Sequence, residues 1–243
     1  MTRASREQRE LFGEPCSSLA GPFLLLRDRM RFGPLGTYVG RSRRIPGWNR
    51  DAQAIELAKA SYALPDGAIV LEHGCLLGCS TVLLAGARVL RGSGEVHVVD
   101  PLDASGDAFS APVYRAIAKA LNGTLRSALE ANLRRSGVAD RVVIHQGLGH
   151  EVAATWKRPL DMLVLDGDHS PEGARLGYAA WSPFLKAGGL IAVHNSTPMD
   201  YQPDHDGSHR IVGEFVRAPW YDHVRSVGTG TFAVRTTAPH PAI

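Results

Sequence analysis

Residues 69–81, Ile-Val-Leu-Glu-His-Gly-Cys-Leu-Leu-Gly-Cys-Ser-Thr, place an acid and two glycines between two apolar runs. The first run, Ile69 to Leu71, reads as a buried parallel strand, and the second, Val82 to Leu90, as a helix opened by Ser80 and Thr81. Strand, glycine turn and helix N-terminus together seat a nucleotide-like ligand, because glycine lets backbone approach the ligand and takes positive φ. The register decides which ligand. A pyrophosphate cradle needs Gly-x-Gly-x-x-Gly, and this stretch reads Glu72-x-Gly74-x-x-x-Gly78. Other polar residues stand where later apolar runs stop. Asp100 ends one such run, and an acid there can take both hydroxyls of a ribose. Gln146 and Gly147 end the next, where an amide and a backbone can read an adenine edge. The last two runs end in Asp166-Gly167-Asp168-His169 and in His194-Asn195.

Bringing these residues to one rim requires strands and helices in alternation. Strands are expected over 69–72, 95–100, 141–146, 162–166 and 190–194, with helices near 80–90, 113–136, 151–156 and 172–185 between them. That order predicts an α/β protein whose parallel sheet is covered on both faces, with ligands at the carboxyl ends of its strands. After residue 194 the pattern changes to a helix near 210–217 and two strands, 221–227 and 231–235, joined by Gly228-Thr229-Gly230 as an antiparallel hairpin. Upstream, a short helix is expected within 22–31 and another over 52–62, capped by Asn49 or Asp51. The turn Ile45-Pro46-Gly47-Trp48 delivers Trp48 to the core or over a pocket. The loops 101–112 and 198–209 flank the site and are candidate lids.

The motif Glu72-x-Gly74-x-x-x-Gly78 resembles the first motif of class I S-adenosylmethionine (SAM) methyltransferases. Asp166-Gly-Asp-His-Ser170, then Trp181-Ser-Pro-x-Leu-Lys-x-Gly-Gly189 and a strand ending in His194, resemble the metal-dependent O-methyltransferases of that class. Those enzymes act on sugars and other hydroxylated metabolites, and their relatives include the macrolide-sugar and catechol types. The resemblance covers roughly residues 65–236. It implies a Rossmann-like fold with a mainly parallel seven-stranded sheet and a C-terminal antiparallel hairpin. It implies SAM contacts from Glu72, Gly74, Cys75, Gly78, Ser80, Asp100, Gln146, Gly147 and Asp166, with the Glu72 carboxylate facing the ammonium and sulfonium. Asp166 and His169 match an acid followed three residues on by the catalytic base, and His194 is a second candidate. The implied divalent cation, Mg²⁺ or Mn²⁺, would sit on Asp166, Asn195 and His194. The relatives usually carry His-Asp at that last position, so Asn195 leaves one carboxylate fewer, with Asp168 and 204–206 as further donors. A cation that stabilises an alkoxide and an imidazole that takes its proton form a coherent pair.

Composition bounds the rest. The chain has 243 residues, 44% apolar and 21% charged, the profile of one sizeable globular domain. A basic arm is expected over 1–50, with ten arginines against four acids, and a single methyltransferase domain over 51–243. The net charge of +3 then leaves −3 for residues 51–243. The arm lacks interleaved aromatics, so a role in the acceptor pocket or a homo-oligomer contact is expected rather than nucleic-acid binding. No apolar run approaches the ~20 residues of a membrane span, and the charged N-terminus lacks an apolar signal core, so a cytoplasmic protein without membrane contact is expected. Cys16, Cys75 and Cys79 are an odd count without a Cys-x-x-Cys pair, which argues against a disulfide framework or a structural zinc. The expected activity is SAM-dependent methylation of a hydroxyl on a saccharide or similar polar metabolite. Its rivals are a phenol or catechol acceptor, a nucleotide-binding dehydrogenase, disfavoured by the missing third glycine, and a non-catalytic SAM-binding module.

Overall fold

The computed structural model describes residues 20–49, 51–198, 201–202 and 204–241. Cys16 and most of the basic arm lie outside the described residues, as do three positions of the loop 198–209. Seven strands form one sheet: β1 (Ile69–His73), β2 (Glu95–Asp100), β3 (Val142–Gln146), β4 (Leu160–Leu165), β5 (Leu185–Val193), β6 (Tyr221–Val227) and β7 (Gly230–Arg235). Their order is β3-β2-β1-β4-β5-β7-β6. The first five pair in parallel, and β7 joins β5 and β6 antiparallel. This is the sheet expected from the alternation of apolar runs. The strand order reverses between β1 and β4, which opens a crevice at their carboxyl ends.

Alternate residues of the central strands feed two cores. Val70, Val96, Val98, Met162, Val164 and Ala192 pack on one face, and Ile69, Leu71, Leu163, Leu165, Ile191 and Val193 on the other. The first face is covered by α2 (Leu35–Ser42), α3 (Asp51–Ala63) and α4 (Cys79–Arg91). The second is covered by α8 (Pro171–Trp181) and α9 (Gly207–Glu214), with α7 (Gly149–Thr155) beside them. Arg88 of α4 is fully buried, and its guanidinium donates to the carbonyls of Ser61, Tyr62 and Pro65, which satisfies the open end of α3.

Three sequence expectations shift. The helix expected over 113–136 is two helices, α5 (Ala111–Ala120) and α6 (Leu125–Arg135). Leu121 leaves the first in an extended conformation, and Thr124 opens the second with a capping box to Ser127. Asn49 does not cap α3, since its amide crosses to the site described below. The boundary expected at residue 50 is not one the packing respects. Besides α1 (Ala20–Phe32), the upstream segment carries Tyr38, Val39 and Ile45, which belong to the first core, and Ser42 Oγ donates to the Cys79 carbonyl at 2.8 Å. Among the described residues no helix is long and apolar enough to cross a membrane.

Candidate active site

The turn after β1 is held by its neighbours' backbone. Gly74 N donates to the Val99 carbonyl at 2.9 Å, and Asp166 N donates to the His73 carbonyl at 2.8 Å. His194 N in turn donates to the Leu165 carbonyl at 2.9 Å. These bonds extend the ladder past the strand ends and set Asp166 between the glycine turn and His194. Gly74 has φ of 88°, and a Cβ there would fall 2.1 Å from the Asp166 carbonyl oxygen. Only glycine lets the two strand ends approach this closely.

A cavity of about 170 Å³ opens over this rim. Gly74, Cys75, Ser80, Asp100 and Asp166 line it, as do Trp48, Asn49 and Tyr114, with Ala104 to Gly106 from the first loop. Trp48 therefore stands at a pocket rather than in the core, edge-on to Tyr114 at 6.0 Å. Gln146 and Gly147 do not line the cavity. The Gln146 amide donates to the Pro101 carbonyl at 3.2 Å, and Leu148 and Gly149 line that end instead. Gly78 lies beneath as the left-handed cap of α4, and among the described residues no lining residue comes from the loop 198–209.

Asp100 is already employed. Its Oδ2 accepts the backbone N–H groups of Cys75 and Leu76, each at 2.9 Å, and its Oδ1 accepts that of Leu102 at 2.8 Å. A carboxylate has about four acceptor positions, so one remains for a ligand hydroxyl. Glu72 is fully buried and does not line the cavity. Its Oε2 accepts from Thr81 Oγ1 at 2.5 Å, and the Ser80 hydroxyl also acts on the carboxyl. Burial pushes its pKa up to about 8, against hydrogen bonds from Ser80 and Thr81. The Glu72 carboxyl thus pins the start of α4 to β1.

Asp166 lines the cavity together with Asp100 and Asp168, with 16% of its side chain exposed. Its Oδ2 accepts from the Asn49 amide at 2.9 Å. Its Oδ1 lies 3.6 Å from His169 Nε2 and 3.8 Å from His194 Nε2. Burial raises its pKa to about 8, opposed by the Asn49 hydrogen bond and assisted by the charge of Asp100. Burial also lowers the two imidazoles, His169 to about 3 with help from the charges of His194 and His205, and His194 to about 4. Both rings are neutral at ordinary pH. Both are 4% exposed, and neither lines the cavity. His169 Nδ1 meets Ser208 Oγ at 3.0 Å, and its ring packs against His205 at 4.8 Å. His205 Nδ1 in turn sits 3.0 Å from Asp107 Oδ1, which ties the two flanking loops together.

The spacing Asp166-x-x-His169 and the His194 strand end are thus brought together, but with the acid in front and the imidazoles behind. Asn195 turns at φ of 46° and does not line the cavity. The donor set around Asp166 does not fit the implied cation. One carboxylate oxygen is occupied by an amide N–H, the other faces two imidazoles, and a hard cation prefers oxygen ligands. Among the described residues no group of three or more His, Cys, Asp or Glu side chains is placed to hold a metal ion. Cys75 and Cys79 are buried and unbridged. Asn49 was legible only as a helix cap, and Gln53, which reaches His194 Nδ1 at 2.8 Å, carried no signal in the sequence beyond helix propensity.

The sheet order and the strand-end acids around one cavity define the class, a Rossmann-like methyltransferase fold. The chain belongs to the methyltransferase-domain family, whose model matches residues 71–196. Solved structures of similar fold include cofactor-bound Rv0187 from MTB, 18% identical over 96% of this chain and 95% of that one, with a TM-score of 0.57. An O-methyltransferase from Bacillus cereus in complex with S-adenosylhomocysteine (SAH) is 15% identical over 96% and 98%, with a TM-score of 0.54. An rRNA methylase from Streptococcus thermophilus is 13% identical over 76% and 94%, with a TM-score of 0.51.

Proposed function

We propose that this SAM-dependent methyltransferase moves a methyl group to a hydroxyl of a saccharide or similar polar metabolite, and that Asp166 receives the hydroxyl proton. The observation that carries this reading is the Asp166 carboxyl on the cavity, held by the Asn49 amide, whereas the other two lining carboxylates bind backbone N–H groups, Asp100 those of Cys75, Leu76 and Leu102 and Asp168 that of Ser170. The chain fits a SAM-like ligand. The first turn of α4, with Cys79 and Ser80 on the cavity, offers N–H groups to a carboxylate. Asp100 keeps one acceptor position for a ribose hydroxyl. SAM supplies a methyl group already activated on a sulfonium. What the protein must add is alignment and a place for the proton.

Asn49 and Asp166 orient the acceptor hydroxyl, and the ionised carboxylate takes its proton. His169, 3.6 Å behind, supports the carboxylate. The base expected at His169 would receive a proton only through Asp166, because the imidazole does not reach the cavity. Trp48 and Tyr114 offer aromatic faces to the apolar side of a sugar ring, and equally to a phenol, so the acceptor test includes both. No step is routed through a divalent cation, because the Asp166 donor set does not suit one.

The test pairs binding with turnover. SAH binds by calorimetry, whereas NAD does not. Asp166→Asn keeps SAH binding and loses about 10²–10⁴-fold in kcat, the usual worth of a positioned base, while His169→Gln loses less. The reverse order would return the role to His169. Turnover persists in EDTA, and its abolition there with recovery on Mg²⁺ would reinstate the cation.

A further inference from the structure

We propose that Gln53 is a positioning residue for Asp166. Its side-chain amide fixes His194 in the tautomer protonated on Nε2, so that the imidazole presents an N–H to the cavity carboxyl. The inference rests on the role of Asp166 argued above and adds a residue from a different helix to that site.

Gln53 lies on α3, 4% exposed, beneath the turn of the C-terminal hairpin. Thr229 Oγ1 donates to its Oε1 at 2.9 Å, and its Nε2 stands 2.8 Å from His194 Nδ1. An amide nitrogen donates and cannot accept. With Nε2 facing it, Nδ1 must be the lone-pair nitrogen of a neutral ring, and the proton is then on Nε2. That nitrogen is the one 3.8 Å from Asp166 Oδ1. The hairpin closes over the amide and confines it against His194. A Cβ at Gly230 would lie 2.8 Å from Gln53 Nε2, and one at Gly228 would lie 3.2 Å from Gln53 Cβ.

Three segments far apart in the chain therefore converge on one proton. α3 supplies the amide, the residue after β5 the imidazole, and the β6–β7 turn a hydroxyl bonded to the far end of the amide. The consequence is chemical. An N–H beside the Asp166 carboxyl stabilises its ionised form, whereas the opposite tautomer would aim a lone pair at it and repel the negative charge. In the fixed tautomer His194 is also unable to offer Nε2 to a cation.

The test uses the full chain labelled with ¹⁵N-histidine and saturated with SAH. Long-range ¹H–¹⁵N spectra, assigned by comparison with His194→Asn, read the tautomer directly. The expected result is an unprotonated Nδ1 and a protonated Nε2. A proton on Nδ1 in the parent protein overturns the proposal. Gln53→Glu puts an acceptor in place of the donor, with nearly the same shape, and should move a proton onto Nδ1. Its kcat should fall on the order of 10-fold or more, as when a histidine loses the partner that sets its tautomer, with SAH affinity unchanged. Gln53→Leu should give mixed tautomers and an intermediate loss. An unchanged tautomer and kcat in Gln53→Glu would sink the idea even if Gln53→Leu fails to fold. Should Asp166→Asn retain full turnover while the tautomer responds to Gln53, the catalytic reading falls and the assignment of the His194 proton stands.

Discussion

At the scale of single residues, burial decides which groups carry charge. Asp166 is pushed up to about 8, so it is mostly protonated at neutral pH and becomes a base only as pH rises. The rate of methyl transfer should therefore climb as pH passes about 8, measured as kcat at saturating donor and acceptor. An inflection near 6.5, the ordinary imidazole value, would instead identify an exposed histidine. Glu72 shows the same physics without chemistry. Its folded pKa, about 8, lies above the ordinary 4.5. Between those values the folded state holds a proton that the unfolded chain has lost, so stability falls as pH rises through this window. Glu72→Gln removes the ionisation, so its melting temperature should decline less than that of the parent protein between about pH 5 and 9. Parallel melting curves for the two proteins would reject this account of the carboxyl.

At the scale of elements, the strand ends work as one unit. The Asp100 carboxylate, at the end of β2, collects the N–H groups of Cys75, Leu76 and Leu102, and so ties the glycine turn to the loop that follows β2. Asp100→Ala should weaken SAH binding and also lower the melting temperature with no ligand present. Each buried amide left without a partner costs about 1–3 kcal/mol. A variant that melts like the parent but binds SAH poorly would confine Asp100 to the ligand. The turn, the start of α4 and Glu72 form a second such unit, since Thr81 of α4 is hydrogen-bonded to the β1 acid. The break between α5 and α6 was missed because the periodicity of 113–136 is nearly continuous. The cap at Thr124 outweighs it, because a capping box satisfies helix-end donors that an apolar pattern does not register.

At the scale of the whole molecule, charge and segment order bear on the acceptor. Residues 1–50 are strongly basic, and a similar fold occurs in an rRNA methylase. The residues 35–49 that could reach a ligand instead pack into the domain and furnish Trp48 and Asn49 to the cavity. A gel-shift assay at physiological salt should accordingly show no tight RNA binding, and binding that weakens steeply with salt would favour a nucleic-acid acceptor. What the sequence determined by itself was local. The alternation of apolar runs, the glycine turn Glu72-x-Gly74-x-x-x-Gly78 and the strand-end acids follow from neighbours along the chain, so the sheet, its antiparallel hairpin and the position of the rim were legible. The depth of each side chain behind that rim was not. Asp166 reaches the cavity while His169, three residues on, is buried beneath it. Asn49 and Gln53 meet their partners across 117 and 141 residues. Those contacts depend on how α3, β4, β5 and the terminal hairpin pack together, and side chains brought together only by packing leave no periodic trace in the chain.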